Sequence, residues 1–176
     1  LLAAAALLVT APVAATAMPA GPDPAPSSEV TATAAQTTAA QCTALASLSL
    51  PDVVAFSAAL VTTGSSDGQS NLPEFCRVAL TVSQQVNIAV WLPTATYNGR
   101  FQAVGGGGYA GSISFGAMAG ALRNGYATAS TDTGHSAATM PGGSFGLNPN
   151  GTLNMQLIED FASRSLIELT KKSKAL

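Results

Sequence analysis

The chain has 176 residues, 47% of them hydrophobic and only 9% charged, with seven Lys and Arg against nine Asp and Glu. A net charge of −2 supplies no electrostatic footprint for nucleic acid or for an anionic membrane surface. So few charges also exclude a highly charged disordered tail and a charge-laced coiled coil, and the length suits one ordinary domain.

The first element is Leu1 to Val9, an uncharged apolar run of the length of a signal-peptide core. Pro12 breaks it, and Ala15-Thr16-Ala17 fits a small-residue cleavage site. The run is short of the ~20 apolar residues a membrane-spanning helix needs. The expectation is a cleaved export signal over residues 1–17, without its basic start. Residues 18–40 are Pro, Ala, Ser and Thr with no periodicity, and read as a disordered leader that cannot bury enough apolar surface to offset its ordering entropy. The folded part is expected over 41–176. Export implies an oxidising compartment, so Cys42 and Cys76, the two cysteines, are expected to pair. The alternative is two buried free thiols. Two Cys and one His fall short of a four-ligand zinc site.

Cys42 to Leu48 reads as a short helix or turn, Val53 to Leu60 as mixed apolar, and Thr62 to Asn71 as a polar loop. Alternation and β-branching predict a strand from Cys76 to Val82 and a second from Val86 to Leu92, with Val86, Ile88, Val90 and Leu92 on one face. Trp91 falls on the other face and reads as packing. Phe101 to Val104 is a short strand that runs into Gly105-Gly106-Gly107-Gly108. Gly111 to Asn124 reads as a helix burying Met118, Ala121 and Leu122, and Tyr126 to Ser130 as a strand ending in Thr131-Asp132-Thr133-Gly134-His135. A Gly/Pro/Asn loop over 136–151 precedes a helix from Leu153 to Leu176, whose predicted apolar stripe is Leu153, Leu157, Phe161 and Leu169, widened by Ile158, Ala162 and Leu166. Strands alternating with helices predict an α/β sheet whose last part is parallel.

Two motifs invite chemistry. Gly106 to Gly111 fits G-x-G-x-x-G, with Asp132 where a ribose-binding acid would sit, but two strands precede it where a dinucleotide fold has one. Gly142-Gly143-Ser144-Phe145-Gly146 fits the G-x-S-x-G nucleophile elbow, but neither a strand before it nor a helix after it is predicted, so Ser144 reads as a loop serine. The glycine run has two remaining uses: backbone donors for an oxyanion, or a turn that lets helix and strand pack closely. His135 is the single histidine, and Asp132 lies on the same tight turn. Triad members usually arrive from separate loops, so this pair is expected to shape the loop rather than to catalyse.

Several stretches together resemble the tannase and feruloyl esterase family of secreted α/β-hydrolases. They are Leu72-Pro73-Glu74-Phe75-Cys76-Arg77-Val78, Val90-Trp91-Leu92-Pro93, Tyr97-Asn98-Gly99-Arg100-Phe101, Val104 through Gly111, Gly125 through His135, and Asp160-Phe161-Ala162 with Arg164, Glu168-Leu169-Thr170 and Lys174-Ala175-Leu176. The resemblance implies the N-terminal part of an α/β-hydrolase fold, truncated before the nucleophile strand, in a serine esterase acting on aromatic-acid esters. It implies Gly108 as an oxyanion-hole donor with Gly107 beside it, Asp132 and His135 as a site-shaping loop, and Cys42–Cys76 as the N-terminal disulfide. The nucleophilic Ser, the triad Asp and His, and a lid that often binds calcium would lie further along the chain. No metal or cofactor is expected in this part. The expected partners are an aromatic ester, small or derived from a plant polymer, and the remainder of the chain, with neither nucleic acid nor membrane. The expected location is extracellular, by bacterial-type export, and these 176 residues alone are expected to be inactive. The other readings are a dinucleotide-binding oxidoreductase and a non-catalytic exported module.

Overall fold

The computed structural model describes residues 37–83 and 85–176. The expected export signal and most of the expected leader lie outside the described residues. The first helix, α1 (Ala39–Leu45), starts ahead of the predicted Cys42 and takes in the last two residues assigned to the leader. Thr38 caps it: its side chain accepts from the Gln41 amide while the Gln41 side chain accepts from the Thr38 amide, a reciprocal box that satisfies two otherwise unpaired donors.

A five-stranded sheet follows the order β1 (Val53–Val61), β4 (Phe75–Val82), β5 (Val86–Pro93), β7 (Ala127–Thr131), β6 (Phe101–Ala103). All neighbours are antiparallel except β6 and β7, which are parallel, as the alternation of strand and helix predicts for the end of the sheet. The parallel pair needs a crossover, supplied by α2 (Phe115–Arg123).

The two-residue side-chain period sorts the core into two layers. Val78, Leu80, Val82, Val86, Ile88, Val90, Leu92, Ala127 and Ala129 form one face and pack with Cys42 of α1 and Leu169. Phe75, Ala89 and Trp91 form the other and pack with Met118, Ala119 and Leu122 of α2. Trp91 is fully buried, 4.8 Å from the Phe75 ring and 5.8 Å from that of Phe115, which is the packing role expected of it. The result is a mixed sheet with helices on both faces, the architecture of an α/β-hydrolase-like fold fragment.

Cys42 and Cys76 form the disulfide, with Cα atoms 5.5 Å apart and both residues fully buried. It fastens α1 to the second strand of the sheet.

Three elements differ from expectation. The predicted polar loop over 62–71 holds a hairpin, β2 (Gly64–Ser66) and β3 (Gln69–Leu72). Asp67 and Gly68 both take positive φ, 50° and 74°, which is the turn geometry that an Asp-Gly pair favours. The helix predicted from Gly111 starts four positions later, at Phe115, so six residues, 109–114, separate the tetraglycine from its first turn. The last helix is interrupted: α3 (Met155–Glu159) passes through a π-helical turn (Asp160–Arg164) into α4 (Ser165–Lys174). A π turn holds an extra residue and rotates the remainder of the helix by about 100°. The predicted stripe therefore holds only in part. Leu169 is buried and Leu157, Ile158 and Phe161 are half-buried, but Leu153 precedes the helix and is exposed, Ala162 and Leu166 are exposed, and the helix also buries Asp160, Ser165, Lys172 and Ser173.

Candidate active site

The glycine run begins where β6 ends, and the Asp132–His135 turn begins where β7 ends. Because β6 and β7 are parallel, both loops leave from the same, C-terminal, end of the pair, where open α/β sheets bind ligands. A cavity of about 260 Å³ lined by Leu92, Tyr97, Phe101 and Ala127 lies at the opposite end, where these two strands begin. It is remote from the loops that carry the candidate chemistry.

Gly105, Gly106, Gly107 and Gly108 are exposed, and their backbone N–H groups have no acceptor among the described residues. The four differ in what they need. A Cβ on Gly106 would collide with the Cβ of Ala110. Positions 105, 107 and 108 face open space, and Gly108 takes φ +61°, a left-handed conformation that disfavours any side chain.

The segment after the glycines is held by the β7 turn through three consecutive carbonyls. Nε2 of His135 lies 3.3 Å from Tyr109 O, Oγ1 of Thr133 lies 3.1 Å from Ala110 O, and the Ala137 amide donates to Gly111 O at 3.1 Å. A carbonyl only accepts, so in the first contact Nε2 is the donor. Nδ1 then faces the Thr133 hydroxyl at 3.2 Å. Thr133 has φ +59°, a genuine outlier for a β-branched residue and a cost accepted where its hydroxyl reaches both the ring and the loop.

Asp132 does not touch the imidazole. Its Oδ1 accepts from the amides of Asn87 (3.0 Å) and Gly134 (2.9 Å), and its Oδ2 accepts from Asn87 Nδ2 (2.6 Å). The carboxylate thus ties the turn to β5 and shapes it. His135 is buried and stacks on Phe145, with ring centroids 4.1 Å apart. Phe145, Phe161 and the half-exposed Tyr109 complete an aromatic cluster beside the glycines, with centroids 5.0–6.0 Å apart. Ser144 is exposed in a 3₁₀ turn (Ser144–Gly146), without the strand and helix an elbow requires. Among the described residues no group of three His, Cys, Asp or Glu is placed to hold a metal ion.

Sequence reasoning missed Thr133, Asn87 and Gly111 as parts of this arrangement. Only Gly111 carried a signal, as the last glycine of the motif. The contacts of Thr133 with Ala110 and of Asn87 with Asp132 join positions far apart in the chain and leave no local pattern.

The glycine turn, the clamping loop and the sheet order can be set beside known proteins. The family model for tannase and feruloyl esterase matches residues 70–176. A probable feruloyl esterase of Arthroderma benhamiae is 38% identical over 109 residues, which are 58% of this chain and 20% of that protein. The crystal structure of feruloyl esterase B from Aspergillus oryzae superposes with a TM-score of 0.63 at 29% identity, covering 78% of this chain and 29% of that one. Tannin acyl hydrolase from Aspergillus niger gives a TM-score of 0.55 at 26% identity, covering 73% and 26%. The chain therefore spans about a fifth of the length of the curated relatives it matches. With more than half of its residues matched in order, the chain belongs to the tannase and feruloyl esterase family.

Proposed function

We propose that the chain is the N-terminal part of a secreted serine carboxylic-ester hydrolase acting on aromatic-acid esters, and that it supplies the oxyanion-hole loop but not the triad. The observation that carries this reading is the set of exposed, unpartnered amides at Gly105–Gly108, at the C-terminal end of the parallel pair. Free backbone donors in a rigidly held turn suit charge that develops during acyl transfer. Gly108 is the donor, with Gly107 beside it. Asp132 and His135 hold the loop in shape. A serine further along the chain attacks the ester carbonyl, the carbonyl oxygen becomes the tetrahedral oxyanion, and the Gly108 N–H stabilises it until the alcohol leaves and an acyl-enzyme forms. That serine belongs to a strand beyond residue 176, and the triad Asp and His to still later segments. Residues 1–17 serve as export signal, 18–40 as leader and 41–176 as part of the catalytic domain. These 176 residues alone then turn over no ester.

The dinucleotide reading finds less support. Both Asp132 oxygens are taken by Asn87 and Gly134, and the glycines do not open α2 directly.

The test is to extend the chain to the length of its relatives and assay it on methyl ferulate. The Gly108 amide is then replaced by an ester linkage through an α-hydroxy acid at that position. Loss of one such donor lowers kcat by about 10²–10³-fold. An unchanged kcat would remove Gly108 from the oxyanion hole.

A further inference from the structure

We propose that Asp160 and Arg164 are positioning residues for the glycine loop, acting through the turn that carries Gly134 and His135; the proposal rests on reading that loop as an oxyanion site. The two residues are the first and last of the π-helical turn, and such turns are rare and concentrate at functional sites. Asp160 is fully buried. Its Oδ1 accepts from Arg164 Nη1 at 2.6 Å and from Gln156 Nε2 at 3.0 Å. Arg164 reaches further: its Nη2 donates to Ser83 O at 2.7 Å, which fixes the pair to the turn between β4 and β5.

The other oxygen, Oδ2, has no hydrogen-bond partner among the described residues. It faces Gly134, where a Cβ would sit 2.9 Å from Asp160 Cβ and 3.1 Å from Oδ2. Gly134 has φ +84°, so it is compelled to be glycine twice over, by conformation and by the carboxyl group behind it. The next residue is His135, whose ring holds Tyr109 O and fills the space beside Gly111. The contacts thus run without a gap from Ser83 through Arg164, Asp160, Gly134 and His135 to the first residue after the tetraglycine. An apolar pair would cover the sheet without leaving a buried oxygen unpaired. The carboxylate stands where it backs the turn that clamps the loop.

Hydrogen exchange tests this in the 176-residue chain. The Ala137 amide reports the clamp directly, because it donates to Gly111 O. Arg164→Met and Asp160→Asn are compared with Lys172→Met, which releases α4 from the Pro51 carbonyl far from the loop. Arg164→Met and Asp160→Asn are expected to speed exchange at Ala137 about tenfold relative to the amides of β4 and β5, the scale of one net hydrogen bond. Arg164→Lys, which keeps one donor, should recover part of the protection. Lys172→Met should lower global stability without the selective change. The proposal is overturned if Ala137 exchange in Arg164→Met follows global stability alone, or if Lys172→Met reproduces the selective loss. Should Asp160→Asn fail to fold, Arg164→Met decides. In the extended enzyme, Arg164→Met should lower kcat on methyl ferulate and leave KM in place. An inactive extended wild type would instead overturn the oxyanion reading itself, whereas an active enzyme with unaltered exchange in Arg164→Met would overturn only the positioning role.

Discussion

The imidazole of His135 occupies the space that a Cβ on Gly111 would need, with Cδ2 and Nε2 2.6 and 2.7 Å from that position. The ring cannot swing aside, because it is buried and stacked on Phe145. Gly111→Ala should therefore cost about 1–3 kcal/mol by overpacking. Gly105→Ala, which meets nothing within 4 Å, should stay within about 0.5 kcal/mol of wild type. Urea denaturation checks both. Equal midpoints would show that the ring is not seated against the loop.

What could be read from residue order alone divides along a physical line. β4 and β5 were legible because each face of a half-buried strand imposes a period of two, and Val86, Ile88, Val90 and Leu92 do share one face. The disulfide was legible from the two cysteines and the expectation of export. The glycine run was placed correctly at a strand end because four glycines have no packing purpose of their own. The π turn was not legible. One extra residue in a turn changes the phase of every later residue, yet Leu153, Leu157 and Phe161 keep a helical spacing on paper. The clamp on Tyr109, Ala110 and Gly111 was hidden for another reason. Thr133, His135 and Ala137 bind main-chain carbonyls, and carbonyls leave no trace in a sequence.

The Cys42–Cys76 bond closes a separation of 34 residues. Chain-entropy arithmetic for such a loop gives about 3–4 kcal/mol of stabilisation. The Cys42→Ser, Cys76→Ser double variant should lose about that much, with its urea midpoint displaced and α1 losing protection first. A loss below about 1 kcal/mol would show that α1 and β4 hold together by packing alone.

Asp67 of the β2–β3 turn is paired bidentately with Arg77 of β4, through Nε–Oδ2 and Nη2–Oδ1 contacts of 2.7 Å each. The Arg77 hydrogen bonds, ahead of the Ser66 hydroxyl, hold the Asp67 carboxyl below its ordinary 3.8. A depressed folded-state pKa means that the unfolded chain takes up the proton first. The pair's contribution is therefore complete above about pH 4 and disappears as pH falls through the lower, folded-state value. The arginine is partly exposed, so solvent screening limits the contribution to about 0.5–1 kcal/mol. Asp67→Asn should be less stable than wild type by that amount at neutral pH and indistinguishable from it in strong acid. A gap that persists in acid would show that the carboxylate charge contributes nothing.

Lys172 belongs to the run of lysines that ends the last helix, yet it is buried. Its Nζ donates to Pro51 O at 2.6 Å and lies 3.3 Å from Glu168 Oε2. The first contact ties α4 to the turn that enters β1, where Asp52 takes φ +59°. A hydrogen bond from a charged donor is worth about 1.5–3 kcal/mol, and its removal also strands the largely buried Glu168 carboxylate. Lys172→Met should therefore destabilise by at least the upper part of that range, about 3 kcal/mol. Glu168→Leu added to Lys172→Met should restore part of the loss, because the stranded charge goes with it. The double-mutant cycle measured by chemical denaturation decides: strictly additive losses would mean that the two side chains do not interact, and that the Pro51 carbonyl alone holds the ammonium in place.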